Sequence, residues 1–341
     1  MEAAITDSGG APRSVADLGE WGVIAALAAR MPAGPLTSVG IGDDAAVVGT
    51  PSGSVVAAVD LVLEGRHFLR SWSSAYDVGV KAAARSLADI AAMGATATAL
   101  LVALAAPGTL PASWPLELAD GLAFEAGRAG AGIVGGDTAR ADSVLLSVTA
   151  LGDLAGRPPV RRSGAAPGDV VAVAGPLGHS AAGYALLTAG EAAASPELVA
   201  AHRRPAPPYE AGPEAALLGA TAMIDVSDGL LADLGHVADA SGAAINVESS
   251  RLALGDPLAE AAARVSAAGP SSSRTGAAQS SASVALDWAL TGGEDHSLVA
   301  AFPPSAALPP RWRVIGTVQA GRGVTVDGIA YEGPTGWEHF R

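Results

Sequence analysis

The acidic residues of this chain occupy unusual places, because several lie within or at the ends of strongly apolar or glycine-rich segments. A single Gly-Asp pair is typical of a turn or a helix cap. The segments concerned are Gly42-Asp43-Asp44, Asp60, Asp89, Gly135-Gly136-Asp137, Asp225-Val226-Ser227-Asp228-Gly229 and Gly292-Gly293-Glu294-Asp295. Like charges that converge in a partly buried site need compensating cations. If these carboxylates share one pocket, as we expect, a metal is required.

The residue types restrict the metal and the chemistry. The chain has no cysteine and no histidine pair at zinc spacing, so oxygen ligands favour Mg²⁺ over Mn²⁺ or Ca²⁺. Magnesium held by aspartates usually acts on phosphates, which indicates nucleotide chemistry. The sequence nevertheless lacks a phosphate-binding loop of the G-x-x-x-x-G-K-[ST] type, and its single lysine, Lys81, lies inside a predicted helix. Phosphate contacts are therefore expected from metals, arginines and glycine-rich backbone.

Composition excludes several other classes of function. With 34 acidic and 20 basic residues the formal charge is −14, which disfavours binding to nucleic acid or anionic membrane. The uncharged stretch 90–116 is rich in alanine and interrupted by glycine and proline, so we predict no membrane span. The absence of cysteine and of an export signal at the first residues leads us to expect a cytoplasmic protein.

Helical and strand patterns interleave along the chain, which predicts an α/β or α+β fold of two domains. Residues 1–13 are predicted to be disordered, and a proline-rich stretch that begins at 157 separates domain 14–156 from domain 157–341. The tract 267–283 is of low complexity and is interpreted as a surface insertion. The predicted helices are 14–32, 77–93, 116–129 and 180–189, and the predicted strands are 55–59, 99–104, 132–134, 143–151, 170–174 and 222–224.

Seven motifs occur in one order between Ser14 and the C-terminal Gly-Trp-Glu-His-Phe. They are Gly40-Ile41-Gly42-Asp43-Asp44-Ala45-Ala46, Asp60 through Glu64-Gly65-Arg66-His67-Phe68, Leu87-Ala88-Asp89-Ile90-Ala91-Ala92-Met93-Gly94-Ala95, Gly135-Gly136-Asp137-Thr138, Arg162-Ser163-Gly164-Ala165-Ala166-Pro167-Gly168-Asp169, Asp225-Val226-Ser227-Asp228-Gly229-Leu230 and Gly292-Gly293-Glu294-Asp295. The set resembles the thiamine-monophosphate kinase family, within the aminoimidazole ribonucleotide synthetase-like superfamily.

The resemblance implies an enzyme that uses ATP and several Mg²⁺ ions to convert thiamine monophosphate to thiamine diphosphate, the last step in making that cofactor. It also implies an N-terminal domain with a mixed sheet that binds ATP and Mg²⁺ and forms a homodimer, and a C-terminal α/β domain. By motif match the catalytic residues would be Asp60, Asp137 and Asp225, the metal ligands Asp44, Asp60, Asp89, Asp137, Asp225 and Asp228, the ATP contacts Gly136, Asp137, Arg162 and Ser227, and the substrate contacts His67, Glu294 and Trp337.

The chain departs from the family pattern at four positions. Ala58 and Val59 precede Asp60 where the family commonly carries Ser-Thr, so a hydroxyl ligand at that place is lost. Ser86 stands where asparagine is common, and His296 replaces a usual tyrosine. The departures at 58 and 59 leave the metal affinity of Asp60 open.

An acceptor phosphate is already ionised at neutral pH, so we expect direct in-line transfer without a general base. Two other functions stay open: another ATP-dependent enzyme of the superfamily, and a catalytically silent module that binds metal or nucleotide. Ordinary structural roles also stay open for four of the residues: a loop histidine at His67, a surface aromatic at Trp337, a solvated Arg161-Arg162 pair, and a helix cap at Glu294-Asp295.

Overall fold

A computed structural model describes residues 14–41, 45–268 and 280–337 of the chain. The fold divides into two units, each compact by itself. Unit 1 runs to Ile90 and continues from Ala95 to Arg157, and unit 2 comprises Ala91–Gly94 and the chain from Pro158 onward. The predicted disordered segment 1–13, the predicted ligand Asp44 and the central part of the predicted insertion 267–283 lie outside the described residues.

Unit 1 is built on a four-stranded mixed sheet. Its elements are α1 (Val15–Ala28), β1 (Thr37–Val39), β2 (Val47–Val48), β3 (Val56–Leu63), α2 (Ala75–Ala92), β4 (Thr96–Ala106), α3 (Ser113–Arg128), β5 (Gly132–Arg140) and β6 (Leu145–Asp153). The sheet order is β3-β6-β4-β5, with β4 and β5 parallel and the other pairs antiparallel. The predicted α/β class with a mixed N-terminal sheet is confirmed.

Local sequence explains the helix starts of unit 1. Ser14 caps α1 through a reciprocal pair of hydrogen bonds with Asp17, as its S-x-x-D pattern predicts. Ser74 and Asp77 form the same exchange at the start of α2. Leu87 and Ile90 of α2 are fully buried, so this helix is anchored by its apolar side.

Two predicted strand ends are wrong. The strand expected to end at Asp60 runs on to Leu63, and the strand expected to stop before Gly135 runs on to Arg140. Glycine and aspartate weaken a strand locally, but pairing with neighbouring strands continues through them here. At Gly136 a Cβ atom would collide with the backbone oxygen of Val102, so close strand approach requires glycine.

Unit 2 is built on a seven-stranded mixed sheet with helices. Its elements are β7 (Val170–Ala174), α4 (His179–Thr188), α5 (Pro196–Arg203), α6 (Ala211–Leu217), β8 (Ala222–Val226), α7 (Leu230–Ser241), β9 (Ala244–Val247), α8 (Gly255–Ala268), α9 (Ser281–Thr291), β10 (Ser297–Phe302), β11 (Arg313–Gln319), β12 (Gly323–Val326) and β13 (Ile329–Ala330). Two short 3₁₀ turns lie at Ala192–Ala194 and Ser249–Arg251. The sheet order is β13-β12-β9-β11-β7-β10-β8.

Two neighbouring strands at one edge of the unit 2 sheet are buried on both faces. Every residue of β8 and of β10 is buried, which accounts for their continuous apolar character. Ser297 at the start of β10 and Asp225 within β8 are the two polar residues of these strands, and only 3% of Asp225 is exposed. Within the described ranges, no helix is long and apolar enough to cross a membrane.

Candidate functional site

Asp60 lies in the middle of β3 and is held by side chains of α2. The single hydroxyl proton of Ser86 is shared between two acceptors, Oδ2 of Asp60 at 2.9 Å and the carbonyl of Val148 at 3.0 Å from Ser86 Oγ. The guanidinium of Arg85 lies 3.8 Å from Oδ1 of Asp60. About a quarter of the Asp60 side chain, 23%, is exposed. The hydroxyl that the family pattern places ahead of Asp60 is absent here, but Ser86 supplies one from the helix.

Asp89 follows Arg85 by one turn on α2, so both project from one side of the helix. Both side chains are partly buried, between fully buried apolar neighbours such as Leu87. The structure therefore puts Asp89 close along the helix to the residues that contact Asp60.

Asp137 lies inside β5, and it is exposed. Across the sheet Asp60 pairs with Val148, Val148 with Val102, and Val102 with Gly136. Neighbouring strands are about 4.8 Å apart, so Asp60 and Gly136 stand roughly 14 Å apart at opposite edges. Side chains alternate along a strand, which turns Asp137 to the other face from Asp60. The structure does not bring these two predicted catalytic residues together.

His67 lies in the turn after β3 and is half-buried. Its Nδ1 accepts a hydrogen bond of 3.1 Å from the backbone N–H of Leu63, so the proton of the neutral ring is on Nε2. The ammonium of Lys81 donates to the carbonyl of His67 at 3.3 Å. The chain's single lysine therefore anchors the loop that carries the predicted substrate residue.

The Asp225–Gly229 segment of unit 2 forms a tight turn between β8 and α7. Oδ2 of the buried Asp233 accepts hydrogen bonds of 3.1 Å from the backbone N–H groups of Ser227, Asp228 and Gly229. Burial, reinforced by the charges of Asp225 and Asp228, raises the pKa of Asp233 to about 8, against the effect of the backbone donors. One side chain thus fixes the backbone of three successive residues of the motif.

Two further segments of unit 2 are tied to this turn by backbone hydrogen bonds. The N–H of Glu294 donates to Ser227 at 2.8 Å, and the N–H of Trp337 donates to Asp228 at 2.9 Å. Glu294 has a φ of 69°, and a Cβ at Gly293 would lie 2.5 Å from the oxygen of Ser227, so the approach is close. The structure brings together the unit 2 residues predicted from three separate motifs.

Trp337 is much more exposed than the acidic and hydroxyl residues around the turn after β8. The indole of Trp337 is 59% exposed, whereas Ser227, Asp228 and Glu294 are partly buried and Asp225 is buried. An exposed aromatic beside partly buried polar groups can take an aromatic ligand on its face.

Asp295 caps a helix, which is the structural role that the sequence left open for Glu294-Asp295. The helix that it caps is distant in sequence. Its two carboxyl oxygens accept from the N–H groups of Gly178 and Ser180, at 2.5 and 2.7 Å, at the start of α4. Complete burial raises the pKa of Asp295 to about 7, against the effect of these two donors. This residue is therefore structural.

Arg162 is exposed, in the segment that enters unit 2. Its carbonyl accepts a hydrogen bond of 3.2 Å from Ser241 Oγ, which in turn accepts from the N–H groups of Gly164 and Ala165. The backbone of Arg162 is thus fixed while its guanidinium faces solvent, which suits a group that binds phosphate.

The donor chemistry fits a hard cation. Among the described residues, no group of three or more His, Cys, Asp and Glu side chains is arranged to hold a metal ion by itself. The predicted ligands nevertheless offer carboxylate oxygens only, at Asp60, Asp89, Asp137, Asp225 and Asp228. Mg²⁺ is commonly bound by one or two carboxylates together with water and substrate phosphates, so a small protein donor set suffices.

Sequence reasoning missed two residues that organise the site in unit 2. Asp233 follows the Ser-Asp-Gly turn at the spacing of a helix N-terminal acid, a signal that was available. His296 contacts Asp225, a pairing of two residues 71 positions apart that no local pattern gives.

Unit 1 also contains a cavity of about 640 Å³. Its lining includes Leu36, Ser52, Thr98 and Asp153. The carboxylate of Asp153 already accepts from Ser52 and from the N–H of Ala155, so it is satisfied within the protein. None of the predicted site residues within the described ranges lines this cavity.

The two-unit fold and the order of the acidic motifs agree with one class of proteins. Residues 42–154 match the family model of the AIR synthase related protein N-terminal domain, and residues 166–329 match the C-terminal domain of the same proteins. The chain is thus a two-domain protein of the AIR synthase related class.

Similar proteins whose activity is known show to which family of this class the chain belongs. The chain is 47% identical over 326 residues to the thiamine-monophosphate kinase of Mycobacterium tuberculosis, covering 95% of this chain and 92% of that protein. It therefore belongs to the thiamine-monophosphate kinase family, which confirms the resemblance of the motifs.

Solved structures agree with this assignment. The thiamine-monophosphate kinase of Stenotrophomonas maltophilia is 32% identical with a TM-score of 0.75, over 91% of this chain and 96% of that chain. The structure described as AaThiL complexed with AMPPCP and TMP is 31% identical with a TM-score of 0.73, over 95% of this chain and 97% of that chain.

Proposed function

We propose that the protein transfers the γ-phosphoryl group of ATP to thiamine monophosphate, giving ADP and thiamine diphosphate. The observation that carries the proposal is 47% identity over nearly the whole chain to an enzyme of that name. The similarity to a relative crystallised with AMPPCP and TMP supports the same pair of substrates. The residues predicted from the motifs supply chemistry that suits both substrates.

We propose that Asp44, Asp60, Asp89, Asp137, Asp225 and Asp228 hold several Mg²⁺ ions. When bound, the ions neutralise and align the phosphates of the two anionic substrates. Because Asp60 and Asp137 lie on the two edge strands of the unit 1 sheet, we propose that they bind different ions. The chain's own contribution is to fix each carboxylate, as Ser86 does for Asp60.

Four residues are proposed for ATP, namely Gly136, Asp137, Arg162 and Ser227. The guanidinium of Arg162, exposed on a fixed backbone, would pair with phosphate oxygens. Ser227 offers a hydroxyl at a turn that Asp233 holds in place. Gly136 has no side chain, and close contact with β4 is enough to require glycine at this position. The proposal that Gly136 contacts the nucleotide therefore rests on the motif alone.

Three residues are proposed for thiamine monophosphate. His67 is proposed from its motif, and the hydrogen bond from Leu63 to its Nδ1 fixes the ring in the turn after β3. The carboxylate of Glu294 suits the positive charge of the thiazolium ring, and the indole of Trp337 offers a face for stacking.

The transfer itself needs no proton to be removed from the acceptor. A phosphate oxygen of thiamine monophosphate forms a bond to the γ-phosphorus, and the bond from that phosphorus to the bridging oxygen of ADP breaks. Asp60, Asp137 and Asp225 act by position and charge in this step, since positioning and electrostatics dominate phosphoryl transfer.

We further propose that the protein is a homodimer formed through the open face of the unit 1 sheet. Val59 and Leu61 alternate along the edge strand β3 with 63% and 51% exposed, a pattern that indicates a covered surface. The variant Val59→Glu/Leu61→Glu should sediment as a monomer while wild type sediments as a dimer. Leu217→Glu, at a residue 73% exposed in unit 2, is the matched control and should stay dimeric.

A cytoplasmic location is proposed as well, supported by the lack of cysteine in the sequence. The function is tested by incubating the purified chain with ATP, Mg²⁺ and thiamine monophosphate and separating the products. Thiamine diphosphate and ADP in equal amounts support the kinase. Binding of ATP without turnover would instead identify a silent module, the alternative that Ala58 and Val59 raise.

A further inference from the structure

A buried pair in unit 2 joins the end of β8 to the start of β10. His296 Nδ1 lies 3.0 Å from Asp225 Oδ2, and the two side chains are 3% and 5% exposed. A carboxylate oxygen only accepts, so Nδ1 is the donor. The bond therefore fixes one oxygen of Asp225 and leaves Oδ1 outside the contact.

The other nitrogen of the same ring is unsatisfied. Nε2 of His296 is buried and has no hydrogen-bond partner among the described residues. Buried polar atoms are normally paired, because an unmade hydrogen bond costs free energy. An apolar residue of similar volume would avoid this cost, so packing alone does not explain a histidine here.

The backbone of His296 is also in an unfavourable conformation. Its φ of 51° is uncommon for a residue with a side chain, and its N–H donates to the carbonyl of Val226 at 2.9 Å. That hydrogen bond holds the imidazole next to the residue that follows Asp225. Both the strained backbone and the unpaired nitrogen accompany one specific contact, which is the bond to Asp225.

We propose that His296 is a positioning residue for Asp225: its Nδ1–H holds Oδ2 so that Oδ1 is presented to a divalent cation. The inference rests on the proposed function only through Asp225 as a cation ligand. Hydrogen bonds to ligating carboxylates orient them, and loss of such a partner typically weakens metal binding by about tenfold or more. The family pattern has tyrosine at this position, so the arrangement belongs to this chain.

Two amide variants separate the hydrogen bond from simple packing. Asparagine places its side-chain nitrogen as far from Cβ as Nδ1, whereas glutamine places it at the reach of Nε2. His296→Asn therefore keeps the donor to Asp225, and His296→Gln and His296→Leu lose it. Glutamine is the matched polar control, and it also serves if the leucine variant fails to fold.

The experiment measures Mn²⁺ binding to the full-length chain in the presence of AMPPCP. The EPR signal of free Mn²⁺ reports how much of the ion remains unbound. We expect His296→Gln and His296→Leu to raise the Mn²⁺ Kd of the affected site about tenfold. His296→Asn should stay within about threefold of wild type, as a retained hydrogen bond requires. Thermal unfolding of each variant reports stability separately.

A double-mutant cycle decides whether His296 acts through Asp225. In the Asp225→Asn background, His296→Leu should weaken Mn²⁺ binding no further, because coupled residues are not additive. Unchanged binding in folded His296→Gln, an additive effect in the cycle, or no Mn²⁺ binding by wild type would each overturn the proposal. Product formation by wild type is assayed separately, so failure of the proposed kinase activity is distinguishable from failure of this inference.

Discussion

Asp60 and Asp137 of unit 1 lie in more open surroundings than Asp225, Asp233 and Asp295 of unit 2. In unit 1 Asp60 is partly exposed and Asp137 is exposed, and each lies within a strand. In unit 2 Asp225, Asp233 and Asp295 are buried, with at most 4% exposed, and each is held by backbone N–H groups or by a histidine. The aspartates named in unit 1 are accessible to solvent, whereas those named in unit 2 accept hydrogen bonds from within the protein.

The difference shows how a chain with −14 formal charge can concentrate acids without unfolding. Open carboxylates stay hydrated and cost little stability, which leaves them free to bind cations. Buried carboxylates need donors, and in unit 2 the donors are the backbone of the motif itself. We expect substitution of the open acids Asp60 and Asp137 to affect activity alone, and substitution of the buried acids of unit 2 to affect stability as well.

The largest effect is expected for Asp60→Ala in unit 1. It should lower kcat at saturating Mg²⁺ by about 10³-fold, as loss of a preorganised electrostatic group does. The fold should be retained, because Ser86 Oγ keeps its hydrogen bond to the carbonyl of Val148 at 3.0 Å. Steady-state kinetics and circular dichroism measure the two quantities. The control is Asp142→Ala, at an exposed acid of the same unit, which should keep wild-type activity. Near-normal activity of Asp60→Ala would contradict the catalytic role proposed for Asp60.

In unit 2 the strongest test is Asp233→Ala. Three backbone donors lose their acceptor, so the free energy of unfolding should fall by about 3 kcal/mol. Urea denaturation measures the change. Asp239→Ala lies on the exposed side of the same helix and should stay within about 0.5 kcal/mol of wild type. Equal stabilities of the two variants would show that burial does not distinguish these acids.

A substrate residue of unit 2 should behave like the open residues of unit 1. Trp337→Ala should raise the KM for thiamine monophosphate about tenfold through lost stacking, with little change in the KM for ATP. Stability should not change, since the side chain is 59% exposed. Trp337→Phe should recover most of the affinity. A parallel rise in both KM values would argue against a thiamine contact.

The last prediction concerns the dependence of stability on pH. Because burial raises the folded-state pKa of Asp295 from 3.8 to about 7, the folded state holds this proton where the unfolded state has lost it. The free energy of unfolding should therefore fall as the pH rises from about 4 to about 7, and level off above that range. Asp295→Asn should show a shallower decline in denaturation at several pH values. An identical slope in both proteins would contradict the assigned cause.

Sequence patterns located the acids but not their surroundings. Strand 170–174 and the start of α1 agree with prediction because apolar runs and capping boxes are local signals. Asp60 and Asp137 were expected at strand ends, and they lie within strands, since neighbouring strands continue the pairing. Tertiary pairing overrode the local preference of glycine and aspartate for turns.

The partners of the acids are long-range, and that is why they escaped prediction. Asp295 caps a helix that begins 116 positions earlier, and Ser86 reaches Asp60 from the next element. Asp233 could have been proposed from its place in the first turn of α7. The metal ligands assigned by motif remain predictions, and Asp44 lies outside the described residues.

The most direct test of the whole account is the fate of radiolabelled γ-phosphate when the wild-type chain is mixed with ATP, thiamine monophosphate and Mg²⁺. If the chain is the proposed kinase, the label appears in thiamine diphosphate in step with ADP, and chelation of Mg²⁺ stops the transfer. Label that stays in ATP, or is released only as inorganic phosphate, would contradict the proposal.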